Sequence, residues 1–186
     1  MTESSAHPRR QFSIDEIQRM VEIGILREDE PLELIAGELL VVHPQGPSHR
    51  SLTVRVHRAL ESAYGAGFHV QDHSPIAISP RSMPEPDIAV IRGDVDAYME
   101  CLPEPKDVML CIEIAVTTLA NDRRKAQIYA EGGVEHYWLV NVEERRLEAH
   151  ASPRDGGYAT VTSLADTETL TVPGTASQIG VADFLP

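Results

Sequence analysis

Cysteine, basic residues and long apolar runs are what this sequence has little of. Its 186 residues hold two cysteines, Cys101 and Cys111, with no CxxC spacing. That argues against a disulfide-stapled scaffold and against a thiolate zinc centre. Cys111 sits among apolar residues and reads as a small buried hydrophobe. Lys and Arg number 16 against 29 Asp and Glu, a formal net charge of −13. A surface that grips nucleic acid indiscriminately needs basic patches, so this balance opposes such a role while leaving room for a local basic groove. No stretch approaches the roughly 18 uninterrupted apolar residues of a membrane helix. The opening residues, Met1 to Gln11, are polar and lack the apolar core of a secretion signal. The expectation is a cytoplasmic protein without a membrane segment. A GxSxG turn and a glycine-rich phosphate loop are both absent. His69 and His73 lie in strand-like surroundings near Pro75, which speaks against a shared helical face and a histidine zinc site.

What is present suffices for a core. The apolar content of 42% is that of a globular chain. At this length one domain is expected, spanning residues 11–186 behind a loose tail at 1–10. Ser13-Ile14-Asp15-Glu16 is a capping box, and Ile14, Ile17, Val21 and Ile25 continue at helical spacing, predicting a helix over 13–23. Residues 31–42 read as two strands joined at Ala36-Gly37. There Glu33 alternates with Leu32 and Leu34, and simple alternation allows it to face solvent. Ser48 is a candidate N-cap for a helix of about 48–63, with Leu52, Val56, Ala59, Leu60 and Ala63 as its apolar stripe. Arg50, Arg55, His57 and Arg58 lie off that stripe, as either a solvated face or a phosphate-facing surface. Strands are predicted at 68–71, 75–78, 108–116, 136–141, 145–150 and 158–163, with a helix over 122–131 stopped by Gly132-Gly133.

Chemistry concentrates between Pro84 and Tyr137. Val108–Val116 is apolar on both faces except at Glu113, as in a strand buried within a sheet. Asp87 enters another apolar strand just after Pro86. A carboxylate buried in such a place calls for a cation, a metal or strong donors. Asp122, Lys125, Ile128 and Tyr129 share one helical face, and the packing of Ile128 and Tyr129 turns Lys125 inward. His49, three residues before Leu52, lies on the inward side of its helix's first turn. Carboxylate oxygens are ligands for hard divalent ions, and an inward lysine can orient a water or offset charge. A structural salt bridge from Lys125 to Glu113, or a snorkelling stem, is the plainer alternative.

These residues carry a resemblance. Leu34-Ile35-Ala36-Gly37-Glu38, His49, Pro84-Glu85-Pro86-Asp87-Ile88-Ala89-Val90, Ile112-Glu113-Ile114-Ala115, Asp122-Arg123-Arg124-Lys125, Tyr129-Ala130 and Gly133-Val134-Glu135-His136-Tyr137-Trp138-Leu139-Val140 resemble the Uma family of restriction-endonuclease-like proteins. That family is a branch of the PD-(D/E)xK nuclease superfamily. The resemblance implies an α/β fold with a mixed central sheet flanked by helices and an additional C-terminal hairpin. It implies Mg²⁺-dependent (or Mn²⁺-dependent) hydrolysis of DNA phosphodiester bonds by Asp87, Glu113 and Lys125. Asp87 and Glu113 would be metal ligands and Glu33 an additional one, with His49, Asp122 and Tyr129 in support. The superfamily's usual lysine position, two residues after Glu113, holds Ala115 here, so Lys125 must reach the same place from the following helix. A homodimer is expected, two sites serving two strands. Two other readings stay open: a catalytically silent nuclease-fold protein that binds nucleic acid or a protein, and an acidic structural protein whose inward acids are paired internally.

Overall fold

The computed structural model describes residues 9–42, 44–116 and 119–186, without the side chains of residues 120 and 121. The expected tail at 1–10 lies outside these residues except for Arg9 and Arg10. In chain order the described elements are helix α1 (Ile14–Glu22), strands β1 (Leu32–Ile35) and β2 (Glu38–Val41), helix α2 (Pro47–Tyr64), strands β3 (Phe68–Asp72), β4 (Ile88–Arg92) and β5 (Val108–Ala115), helix α3 (Leu119–Gly132), and strands β6 (His136–Asn141), β7 (Arg146–Arg154), β8 (Gly157–Ala165), β9 (Thr169–Thr171) and β10 (Gln178–Gly180). Short 3₁₀ turns follow at Val95–Tyr98, Pro105–Asp107 and Val181–Phe184.

β3 through β8 form a six-stranded sheet in sequence order. Every neighbouring pair is antiparallel except β5 and β6, which run parallel. A parallel pair needs a long crossover, and α3 supplies it. Helices therefore cover both faces of the central strands. On one face Leu52, Val56 and Leu60 of α2 share a core with Ile88, Val90, Leu110, Ile112 and Trp138. On the other, Ala126 and Tyr129 of α3 pack with Ala89, Ile91, Cys111, Tyr137 and Leu139. This double coverage explains why all eight residues of β5 are buried and why its sequence shows no polar alternation. The β7–β8 hairpin extends the main sheet, while β9 and β10 make a separate antiparallel pair.

Several local expectations hold for identifiable reasons. The Ser13 capping box closes the start of α1, with both of its reciprocal hydrogen bonds formed. Ala36 and Gly37, at φ 50° and 82°, make the tight turn between β1 and β2. Other boundaries differ. Ser48 is not the N-cap of α2: Gly46 holds that position and Pro47 enters the first turn, its fixed φ suited to the place. α3 begins at Leu119 rather than at 122. Residues 75–78 form no strand. The N–H groups of Ile76, Ala77 and Ile78 donate instead to the carbonyls of Pro84, Pro103 and both Ile76 and Ser82. Ile76 and Ile78 are buried all the same, so the alternating pattern marks burial without a ladder.

Gly132 closes α3 against this irregular segment. A Cβ there would lie 2.2 Å from Ile78 Cγ2 and 3.2 Å from the Ile78 carbonyl oxygen. Gly132→Ala would gain about 1 kcal/mol of helix propensity, yet overpacking costs about 1–3 kcal/mol. The expected outcome is a lower Tm by a few degrees in a thermal melt. An unchanged or higher Tm would show that Ile78 yields freely.

Candidate active site

Asp87 immediately precedes β4, and the β4–β5 register sets Ile88 opposite Ile112. Beyond that pair the Asp87 side chain takes over from the strand ladder. Its Oδ2 accepts the buried backbone N–H of Ile114 at 2.7 Å. The same oxygen is 2.9 Å from His49 Nε2. Because an ionised carboxylate only accepts, this contact puts the ring proton on Nε2. Oδ1 accepts from Gln45 Nε2 at 2.8 Å and lies 3.6 Å from His73 Nδ1. His49 comes from the first turn of α2, where the Thr53 hydroxyl donates to the His49 carbonyl at 3.1 Å.

Glu113 follows the alternation of β5. Cys111 and Ala115 belong to the core under α3, so Glu113 faces the same helix. There Tyr129 Oη donates to Glu113 Oε1 at 3.0 Å. Lys125, one turn earlier on α3, places Nζ 3.1 Å from the same oxygen. Nζ also donates to Glu33 Oε1 at 3.1 Å. Glu33 is therefore not solvent-facing; it is 5% exposed. The β1–β2 hairpin carries it inward because the Met83 N–H donates to the Leu34 carbonyl at 2.7 Å and the Ser82 hydroxyl accepts from the Ala36 N–H at 3.0 Å. Asp122 is buried one turn before Lys125, and its carbonyl accepts from Tyr137 Oη at 2.9 Å. Glu33, Asp87, Glu113, Asp122, Lys125, Tyr129 and His49 thus all fall in one region, and Lys125 reaches Glu113 despite Ala115 at the position two residues after that acid. Gln45 and His73 were not anticipated. Both sit on loops, where neither helical nor strand period marks an inward side chain.

The electrostatics follow from burial. Burial pushes the Glu113 carboxyl well above its usual range; Lys125 opposes this, while Asp87, Asp122 and Glu33 add to it. Burial likewise raises Glu85, helped by Glu33. For Lys125 burial disfavours the ammonium, but Glu113 and Glu33 together outweigh it and hold the proton more firmly than in an ordinary lysine. Tyr129 is raised by burial and then by Glu113, so it stays neutral and remains a donor. The buried region holds one ammonium among the carboxyls of Glu33, Glu85, Asp87, Glu113 and Asp122. An excess of oxygen donors and negative charge fits a hard divalent cation. Among the described residues, no three such side chains are yet gathered closely enough to hold an ion.

A mixed sheet with helices on both faces, its buried acids lying at the strand end beside a crossover helix, defines a restriction-endonuclease-like fold. The sequence matches the model of the Uma2 family, described as "Putative restriction endonuclease", over residues 14–182. The chain belongs to this family. Its fold is similar to the crystal structure of "a putative nuclease belonging to DUF820" from Anabaena variabilis ATCC 29413. That likeness has a TM-score of 0.72 at 16% identity and covers 93% of this chain and 97% of that one. No curated protein matches the sequence. No helix among the described residues is long and apolar enough to cross a membrane.

Proposed function

We propose that the protein is a divalent-metal-dependent endonuclease that hydrolyses DNA phosphodiester bonds. The observation that carries this reading is Lys125, 3.1 Å from Glu113 in a region with an excess of buried carboxyls. Asp87 and Glu113 would hold Mg²⁺ or Mn²⁺, with Glu33 as a further ligand. The ion would polarise the phosphate and lower the pKa of a bound water. Lys125 orients the attacking water or offsets charge developing on the phosphate. Tyr129 fixes Glu113 by its hydrogen bond, and His49 and Gln45 fix Asp87. These supporting bonds set carboxylate orientation, which governs ligand geometry as much as ligand identity does.

Burial raises the Glu113 carboxyl pKa, and a carboxylate must be ionised to bind a cation, so metal affinity is expected to fall as pH is lowered. Calorimetric titration of Mg²⁺ and Mn²⁺ is expected to show binding that weakens from about pH 8 towards about pH 5. Glu113→Gln is expected to abolish that binding and, in parallel, the cleavage of supercoiled plasmid. Metal affinity unaffected by Glu113→Gln would sink the site as drawn. Wild-type metal binding without cleavage of any DNA form would instead support a silent, nuclease-fold binding protein.

A further inference from the structure

An open groove of about 720 Å³ runs along the outer face of α2, lined in part by Gln45, Arg50, Val54, Arg55 and Arg58. Helical spacing aligns these positions: Arg50, Val54 and Arg58 recur every fourth residue on one side. The local charge is opposite to that of the whole chain. α2 carries one acid, Glu61, a turn beyond Arg58, whereas the chain's net charge is −13. The groove's arginines are left uncompensated by acids. Arg9, Arg10, Arg19, Arg27, Arg123, Arg145 and Arg154 each meet a carboxylate, whereas Arg81, Arg92, Arg124 and Arg146 and the three groove arginines form no ion pair among the described residues. Arg55 donates to the Leu185 carbonyl, and neither Arg50 nor Arg58 forms an ion pair with any described residue. Gln45, which precedes α2 and lines the groove, donates its amide to Asp87 Oδ1 at 2.8 Å.

We infer that this groove is the path of a DNA strand's phosphodiester backbone, with Arg50 and Arg58 as phosphate contacts that lead the strand to Asp87. The inference rests on the nuclease reading above for what happens at Asp87, but not for binding itself. Arg50 and Arg58 are separated by eight positions, about 12 Å along the helix. Beside a duplex lying parallel to α2, with one phosphate per strand for every ~3.4 Å of axis, that distance spans roughly three to four base steps. Phosphate contacts of this kind position a strand without reading its sequence. The occupant is therefore a nucleic-acid backbone rather than a particular site.

The test is fluorescence anisotropy of labelled duplex and single-stranded DNA oligonucleotides over a salt series in EDTA, where nothing is cut. Wild type is expected to bind with affinity that falls steeply with salt. Arg50→Gln/Arg58→Gln is expected to flatten the log–log slope by about 1.8 on duplex or about 1.4 on single strands. Between 50 and 200 mM salt that is a roughly tenfold smaller loss of affinity on duplex. The control, Arg19→Gln/Arg27→Gln, changes net charge equally at an exposed region elsewhere and is expected to leave the slope unchanged. An unchanged slope in the groove variant, an equal change in the control, or no salt-dependent binding by wild type would overturn the inference. Groove-dependent binding by a wild type that cuts no DNA with Mg²⁺ or Mn²⁺ leaves the groove standing and removes only the hydrolytic reading. Cleavage by wild type with an unchanged slope in the groove variant removes only the groove.

Discussion

Lys125→Met is expected to lower plasmid cleavage by about 10²–10³-fold, as loss of one charge-stabilising donor does, and to cost stability that grows with pH. Methionine keeps the length of the stem and removes the ammonium, which lies 3.1 Å from both Glu33 and Glu113. The side chains of those acids are 6% and 3% exposed, so water does not replace the lost cation. Breaking a buried pair costs about 3–5 kcal/mol when the remaining charge stays ionised. Glu113 can escape part of that cost by keeping a proton. Its carboxyl is already raised by burial, and Lys125 is the neighbour that lowers it, so the variant raises it further. The sign is then determined. A carboxyl whose folded pKa lies above its unfolded one contributes stability below the unfolded value, about 4.3 for Glu. It loses that contribution as pH rises through the folded value. Lys125→Met is therefore expected to be closest to wild type near pH 5 and weakest near pH 8, as urea unfolding at the two pH values would show. A stability difference independent of pH would mean that Glu113 does not take up the proton. Cleavage is compared where circular dichroism shows the variant folded. Full activity there would remove Lys125 from the mechanism.

The second large effect is at Asp87, where stability and metal binding can be separated. Asp87→Ala leaves the Ile114 N–H, bonded at 2.7 Å in the wild type, without its acceptor. Ile114 is completely buried, and an orphaned buried donor costs about 1–3 kcal/mol. The bonds from His49 and Gln45 are lost as well. The expected total is about 2–4 kcal/mol, seen as a fall in Tm on the order of 10 °C. Asp87→Asn keeps one carbonyl oxygen for Ile114 and is expected to recover most of that stability. Both variants are expected to lose metal binding and cleavage, because an amide is neutral. If Asn lowered Tm as much as Ala, the Ile114 hydrogen bond would not be the stabilising element.

The parts of the site legible in the sequence are those encoded by local period. Glu113 interrupts a doubly apolar strand, and period-2 alternation puts it on one face with Cys111 and Ala115. Lys125 and Tyr129 share a face because they are four residues apart, and α3 turns that face to β5. The capping box at Ser13 and the turn at Ala36-Gly37 are equally local. The structure departs from these local expectations where local rules compete. Ser48 and Gly46 could each cap α2, and Pro47 decides between them because it enters the first turn. Residues 75–78 alternate like a strand, but their donors are satisfied by three different segments. The β9–β10 pair carries no strong alternation in its three-residue strands and went unanticipated.

Glu33 marks the boundary between the two kinds of information. Alternation with Leu32 and Leu34 permits an outward acid, yet both Glu33 and Leu34 are buried. One side of β1 is tied to the loop before Asp87, and Glu33 meets a lysine 92 residues away. The sequence by itself determined most of the sheet and helix elements, the faces of Glu113 and Lys125, and the family. Only the tertiary structure decided that Glu33, Gln45 and His73 join them, and that Arg50 and Arg58 line a groove with Gln45, which bonds to Asp87. The physical reason is that residue periodicity specifies which side of an element is apolar. Which distant element covers that side depends on chain closure and packing across the whole fold.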